Sequence, residues 1–513
     1  HREKPNNGVT FLCGVTNMFE KRGSTYLYLD LTKSDAPTLY ISDAHIGHLA
    51  VQSEIANAHK KHPRLHIERV QLDKLRELQQ SQVTDNPEAN DYSAQQAKII
   101  GFFREAKKKG ASDIHLLIGM NNVTVVQFRV HGDLETVTQL DHAEGVTLAS
   151  TIVMSMCDVA EKSFNPNRAQ DGRVRKEFLQ GLHLFGARYA HTPAEFGLYV
   201  VMRILPDEGK APPTLDELGF LPEQQTLIRR MLARPEGVII LSGPTGSGKS
   251  TSLRTFSEMY LSFTGHRKRL MTLEDPPEGL ILGAVQTPII ADKNDPDAVS
   301  RAWVRSISAA LRLDPDAMVV GEIRDANSVK SALTAAKSGH LVETTLHAND
   351  AVGILDRLTD TLGIPMGQVA DPQVMIGLIA QRLVQLLCPH CKKSWSEVCD
   401  RLEEEKKELL ERFCEVEKLA FRHPEGCEHC YKGVTGRRVI AEVIRPDARF
   451  MELFRHEGKL AARSYWVNEL GGITRGQHLL RYLNAGMVDP IDADYISPLD
   501  EDSLTLLPPE IKS

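Results

Sequence analysis

Between residues 237 and 380 the chain alternates short apolar runs with stretches of helical period. Gly237-Val-Ile-Ile-Leu241, Leu270-Met-Thr-Leu273, Ala317-Met-Val-Val320 and Leu341-Val-Glu-Thr-Thr-Leu346 read as strands. Leu253, Phe256 and Tyr260, spaced by three and four, give the segment after the first strand one apolar helical face. This alternation predicts a parallel sheet with helices on both sides, an α/β domain over 214–380. Thr214-Leu-Asp-Glu217 fits the capping box that would open it. Upstream, helical patterns at 94–109 and 146–162 are interspersed with β-rich runs at 123–130 and 198–205, so 91–205 is expected to be an α+β domain. Pro206-Asp-Glu-Gly-Lys-Ala-Pro-Pro213 reads as the linker between the two, and the polar stretch 80–91 as a second linker. Residues 1–90, with strand-like runs such as Tyr26-Leu-Tyr-Leu29, form a separate, unassigned N-terminal region. Residues 401–412, with Glu403/Lys407 and Glu408/Arg412 at i,i+4, read as a solvated helix face. A helical region is expected from 446, ending in an acidic, loosely ordered tail from Asp489.

The run at 237–241 leads into Gly243-Pro-Thr-Gly-Ser-Gly-Lys-Ser250, which fills every fixed position of G-x-x-x-x-G-K-[ST]. Gly243, Gly246 and Gly248 let backbone N–H groups of the loop, Pro244, Thr245 and Ser247 included, curl around phosphates. Lys249 would neutralise the β and γ oxygens and the Ser250 hydroxyl would ligate Mg²⁺, with Thr251 in the first helical turn. A nucleoside triphosphate is the expected ligand.

Three further strand-like runs end in ionisable residues, and parallel sheets bind ligands at the carboxyl ends of their strands. The residues are Glu274 with Asp275, Glu322 after Gly321, and His347. Hydrolysis of a triphosphate needs a group to orient water and carboxylates to hold the metal. Glu322 is the first candidate for both tasks, Glu274 the second, and His347 a contact for the γ-phosphate. His340, ahead of its strand, is expected to be structural or to lie at a subunit boundary.

Composition narrows the setting. At 513 residues the chain exceeds one core, and its net charge of −7 gives no bulk attraction to nucleic acid or anionic lipid. No apolar run approaches 18 residues and the first residues lack the order of a secretory signal, so a cytoplasmic location is expected. Four of eight cysteines form two C-x-x-C pairs, Cys388/Cys391 and Cys427/Cys430, with 35 residues between them. Such pairs furnish a four-sulfur site for structural zinc, with His390 and His429 as substitute ligands; Cys13, Cys157, Cys399 and Cys414 read as isolated thiols.

Leu313-Asp-Pro-Asp-Ala-Met-Val-Val-Gly-Glu-Ile-Arg-Asp325, Ser338-Gly-His-Leu-Val-Glu-Thr-Thr-Leu-His-Ala-Asn-Asp350 and Thr272-Leu-Glu-Asp-Pro-Pro-Glu278 resemble the Walker B, His and Asp boxes of the type II/type IV secretion ATPases. With the phosphate loop they stand in that family's order, and the resemblance spans roughly 94–487. It implies a RecA-like ATPase core, and a PAS-like domain before it, carried by Ala111-Ser-Asp-Ile-His115, Arg129-Val-His-Gly132 and Gln170-Asp-Gly-Arg173. Arg188 and Arg203 sit where the family places arginines that reach the nucleotide phosphates. The run Glu161-Lys-Ser163 departs from the family's usual Glu-Lys-Arg, and residues 1–90 match no family element. Assembly-type members carry a similar tetracysteine region, here 381–445. The resemblance implies a homohexamer that hydrolyses ATP to drive type IV pilus assembly or type II-like secretion, held at the inner membrane by a platform protein. The alternative is a nucleic-acid translocase on the same core, which the net acidity and lack of a basic, aromatic stripe disfavour.

Overall fold

The computed structural model describes residues 27–30, 37–43, 46, 49–71, 74–75, 78, 92–158, 163–206, 212–291 and 295–507. The chain divides into two compact units, 1–128 with 134–210, and 129–133 with 211–513. The expected linker at 80–91 and most of the one at 206–213 lie outside the described residues, as do Cys13 and Glu161.

The first unit begins with a small sheet, β1 (Leu27–Asp30), β2 (Thr38–Ser42) and β3 (His66–Val70). β2 is central and wholly buried, antiparallel to β1 and parallel to β3. Parallel pairing needs a crossover, which helix Leu49–Lys61 supplies. The same unit holds a seven-stranded sheet of order β6-β5-β4-β10-β9-β8-β7. Its strands are β4 (Ala111–Ile118), β5 (Val123–Val130), β6 (Asp133–Asp141), β7 (Cys157–Asp158), β8 (Gln170–Val174), β9 (Leu184–Ala194) and β10 (Gly197–Pro206). Helix Ala94–Lys108 starts at Ser93, whose side chain and backbone exchange hydrogen bonds with Gln96. The helical run read at 146–162 is displaced: a helix covers His142–Thr151, a π-turn covers Ile152–Met156, and Cys157 is already extended in β7. The helix begins straight after Asp141 at the end of β6, four residues before the apolar period becomes visible.

The second unit is built on a sheet of order β13-β12-β14-β15-β11-β16-β19. β11 (Gly237–Ser242), β12 (Leu270–Glu274), β13 (Val285–Pro288), β14 (Ala317–Val320), β15 (Leu341–Leu346) and β16 (Met375–Leu387) pair in parallel. A short pair, β17 (Lys393–Ser394) with β18 (Ala420–Phe421), precedes β19 (Val434–Ile444), which closes the main sheet antiparallel to β16. The sheet therefore continues past Ala380 into both flanks of the cysteine pairs.

Alternation along β11 explains the layers. Ile239 and Leu241 face the helix Lys249–Phe263 through Leu253, Phe256 and Tyr260, while Val238 and Ile240 face Trp303, Ile307, Val329 and Leu333. A strand covered on both faces must be apolar throughout, as this one is. Thr214 and Glu217 form the expected capping box, Thr214 N donating to the carboxylate at 2.8 Å. Helix Glu404–Phe413 buries Leu410 on one face, and its Lys406 reaches Asp494 at 3.0 Å.

The loosely ordered tail is corrected by the structure from Asp489 to Leu507, which carries helices Pro490–Ile496 and Glu501–Thr505. Its acidic residues anchor it. Glu501 accepts two hydrogen bonds from the buried Arg475, at 2.8 and 2.9 Å, and Asp502 accepts from Thr474.

Candidate functional site

The phosphate loop joins β11 to helix Lys249–Phe263, and glycine is required where it turns. Gly246 and Gly248 have φ of +80° and +83°, in the left-handed region that side chains disfavour. A Cβ on Gly243 would stand 2.4 Å from the Gln381 carbonyl oxygen and 2.6 Å from Ser247 Oγ. Gln381, on β16, ties the loop down: its Nε2 donates to the Ser247 carbonyl at 2.7 Å, and its Oε1 accepts from Ser252 Oγ at 2.9 Å. Gln381 was not singled out from the sequence, because nothing along the chain shows that β16 lies beside β11. Pro244, Thr245, Gly246 and Ser250 are exposed, Ser247 is buried, and Thr251 lies half-buried in the first turn of the helix.

Lys249 Nζ donates to the carbonyls of Gly243 at 2.7 Å and Pro244 at 3.1 Å. Burial lowers its pKa, against the opposing charges of Glu322 and Glu278. His347, at the end of β15 and so beside β11, places Nδ1 3.0 Å from the same Gly243 carbonyl. Its Nε2 lies 3.2 Å from Glu322 Oε1. Arg324 Nη2 holds the other oxygen, Oε2, at 2.7 Å. Burial pushes the Glu322 carboxyl up, but the hydrogen bond and charge of Arg324, with His347 and Lys249 behind them, outweigh it and hold the carboxyl below its ordinary value. An ionised carboxylate of this kind can accept a proton or hold a cation.

Lys249 and His347 thus meet at the Gly243 carbonyl, and Glu322 is linked to them through the His347 ring. Glu274 stands further out, since β14 and β15 separate β12 from β11. Its Oε1 accepts from Gln286 Nε2 at 3.0 Å and from the Thr272 hydroxyl. Arg324 stands only two residues beyond Glu322 and reaches its carboxylate, a role that nothing in the sequence separates from that of a surface arginine. His340 Nδ1 meets the Ala335 carbonyl at 3.0 Å, closing the preceding helix. A cavity of about 580 Å³ opens beside the loop, lined by Gly243, Pro244, His347, Asn349, Arg382 and Lys459 among others.

In the first unit, register aligns Asp158, Arg173, Arg188, Arg203 and Asp113 as successive partners across β7, β8, β9, β10 and β4. Directly opposed residues share a face, so three arginines stand side by side with an aspartate at each end. Arg203 Nε donates to Asp113 at 3.0 Å, and the Arg173 guanidinium lies 5.1 Å from the Phe185 ring centre. Arg173 joins Arg188 and Arg203 only through register, which no local pattern reveals.

The four sulfurs of Cys388, Cys391, Cys427 and Cys430 lie within 4.8 Å of one another. Three of the separations, Cys388–Cys427, Cys391–Cys430 and Cys427–Cys430, are 3.7 Å. Disulfides would need ~2.05 Å. A tetrahedron of ~2.3 Å zinc–sulfur bonds has edges of about 3.8 Å, which these separations match. Burial opposes ionisation of Cys430, yet the N–H groups of Cys427 and Gly433 prevail and bring its thiol down to about 7, whereas burial and the neighbouring thiols push Cys391 up to about 12, so the four sulfurs do not ionise alike. The rings of His390 and His429, one within each C-x-x-C pair, lie 4.3 Å apart with their planes tilted by 40°.

No helix among the described residues is long and apolar enough to cross a membrane. The family model described as "Type II/IV secretion system protein" matches residues 88–475. The type II secretion system ATPase E of Vibrio cholerae serotype O1 is 36% identical over 355 residues, 69% of this chain and 65% of that protein. The type IV pilus assembly ATPase PilB of Thermus thermophilus is 35% identical over 362 residues, 70% of this chain and 38% of that protein. The chain therefore spans a little under two thirds of the first and well under half of the second. Among solved structures, the pilus retraction motor PilT with bound ADP superposes with a TM-score of 0.51 at 23% identity, covering 78% of this chain and 97% of that one, a likeness of fold. The family match over most of the length, joined to this level of identity, settles the kinship: the chain belongs to the type II/type IV secretion ATPase family.

Proposed function

We propose that the protein hydrolyses ATP as a cytoplasmic motor at the inner face of a bacterial inner membrane, powering type IV pilus assembly or type II-like secretion. The observation that carries the reading is that Lys249 and His347 meet at the Gly243 carbonyl while the same His347 ring reaches Glu322, all at the carboxyl ends of neighbouring parallel strands. In this RecA-like core the loop amides and Lys249 hold the phosphates and Ser250 holds Mg²⁺. Glu322 orients water, with Glu274 as a second carboxylate and His347 as the γ-phosphate contact. Arg188 and Arg203, in the PAS-like unit, are the arginines that family resemblance assigns to nucleotide phosphates. The four cysteines hold a structural zinc. A homohexamer working on an inner-membrane platform protein is the assembly that family membership favours. The tetracysteine cluster inclines the reading toward extension of a filament over retraction.

Binding of a fluorescent ATP analogue with Mg²⁺ tests the loop directly. Lys249→Ala removes the only side-chain cation of the motif, so affinity is expected to fall at least tenfold while the melting temperature stays within a few degrees. Equal affinity in the two proteins would place the nucleotide elsewhere.

A further inference from the structure

His347 is followed by a short segment that the C-terminal helices and β19 together grip at three successive residues. Arg475 Nη1 donates to the Asn349 carbonyl at 2.8 Å, Lys459 donates to the Asp350 carboxylate, and Glu442 Oε2 accepts from Ala351 N at 3.1 Å. Glu442 is fully buried and neutralised by Arg463 at 2.7 Å. Arg475 is only 2% exposed, and each of its nitrogens is engaged. Nη2 binds both oxygens of Glu501, at 2.8 and 2.9 Å, and Nε donates to Ser497 Oγ at 3.1 Å. One buried guanidinium therefore joins the last described helix, Glu501–Thr505, to the backbone two residues beyond His347. On the other side of that histidine stand Gly243 and Glu322.

Such a network is stiff. Glu442, Arg463 and Arg475 are desolvated and each holds a fixed partner, so a shift of one costs a buried hydrogen bond elsewhere. A displacement near 1 Å of a reacting group is enough to slow a reaction by about a hundredfold. We propose that Arg475 is a positioning residue for nucleotide hydrolysis: by tying Asn349 to Glu501 it sets the His347 imidazole between the phosphate loop and Glu322. The proposal rests on reading the loop as an ATP-hydrolysing site. It makes the C-terminal helices part of the catalytic setting and gives any partner that disturbs Glu501 a route to the γ-phosphate.

A merely structural role predicts something different, and a double-mutant cycle separates the two. Arg475→Lys keeps the charge but cannot serve Asn349, Glu501 and Ser497 together. In the full chain it is expected to lower kcat about tenfold with KM for ATP changed less than about threefold. In the His347→Ala background the same change is expected to alter kcat less than about twofold, because the group it positions is gone. An undiminished tenfold loss in that background overturns the proposal. So does an unchanged kcat in folded Arg475→Lys, or in His347→Ala alone. Should Arg475→Lys fail to fold, Glu501→Gln weakens the same anchor more gently and must show the same dependence on His347. Absence of ATP hydrolysis by the unaltered chain would instead remove the ATPase reading on which the proposal stands.

Discussion

Glu343 sits in the middle of β15, completely buried, with no hydrogen-bond partner among the described residues for either carboxylate oxygen. Its strand partners on either side are Ile239 and Val319. Burial pushes its carboxyl up from 4.5 to about 8. The folded state then holds this proton more tightly than the unfolded state does. Its contribution to stability is full below pH 4.5 and is lost as pH rises through about 8. The loss is on the order of 3–5 kcal/mol for a shift of this size. Glu343→Gln keeps the shape and removes the titration. Between pH 5 and pH 9 the melting temperature of the unaltered chain is expected to fall several degrees more than that of the variant, which differential scanning calorimetry measures. Parallel curves would show that Glu343 does not titrate in this range. The sequence gives this residue away only as one acid in an apolar run; that it lacks a partner depends on neighbours brought in from 239 and 319.

At the scale of elements, the strands and glycine turns were legible because their causes are local. The phosphate loop, the capping box at Thr214 and the strands at 237, 270, 317 and 341 each follow from composition and period within a few residues. The helix beginning at His142 was misplaced because its first turn, His-Ala-Glu-Gly, carries little apolar signal of its own. The cysteine region depends on a tie between distant segments. Cys388 follows β16 directly and Cys427 and Cys430 precede β19, so a metal there would pin the ends of two long paired strands. A structural zinc contributes folding energy outright. One zinc per chain is expected on release with a thiol-reactive reagent, and Cys388→Ser with Cys391→Ser is expected to abolish it and lower the melting temperature. A full complement of metal in the double variant would rule the cluster out as its ligand.

For the whole molecule, sheet order was the part that sequence could not supply. That Glu274, Glu322 and His347 all surround one phosphate is expected only if their three strands lie beside the phosphate-loop strand. The actual order, β12-β14-β15-β11, sets His347 beside the loop, links Glu322 to it and leaves Glu274 bound to Gln286. The acidic tail was misread for a similar reason. Charge density from 489 onward resembles a solvated end until Arg475, far back in the chain, is seen to be buried against Glu501. Both the strand order and the anchoring of the tail rest on contacts made by residues distant in sequence, where period and composition carry no information. The kinship with secretion ATPases was visible because its motifs are short and contiguous, whereas the row Arg173, Arg188 and Arg203 needed three strands in register.

Whether Glu322 acts on water at a loop that binds ATP is read from single-turnover phosphate release with Mg²⁺ and excess protein. Glu322→Gln is nearly isosteric, so ATP affinity should stay within about threefold while the rate of phosphate release falls roughly a hundredfold or more. Release by the variant at the rate of the unaltered chain would show that Glu322 does not act on the attacking water.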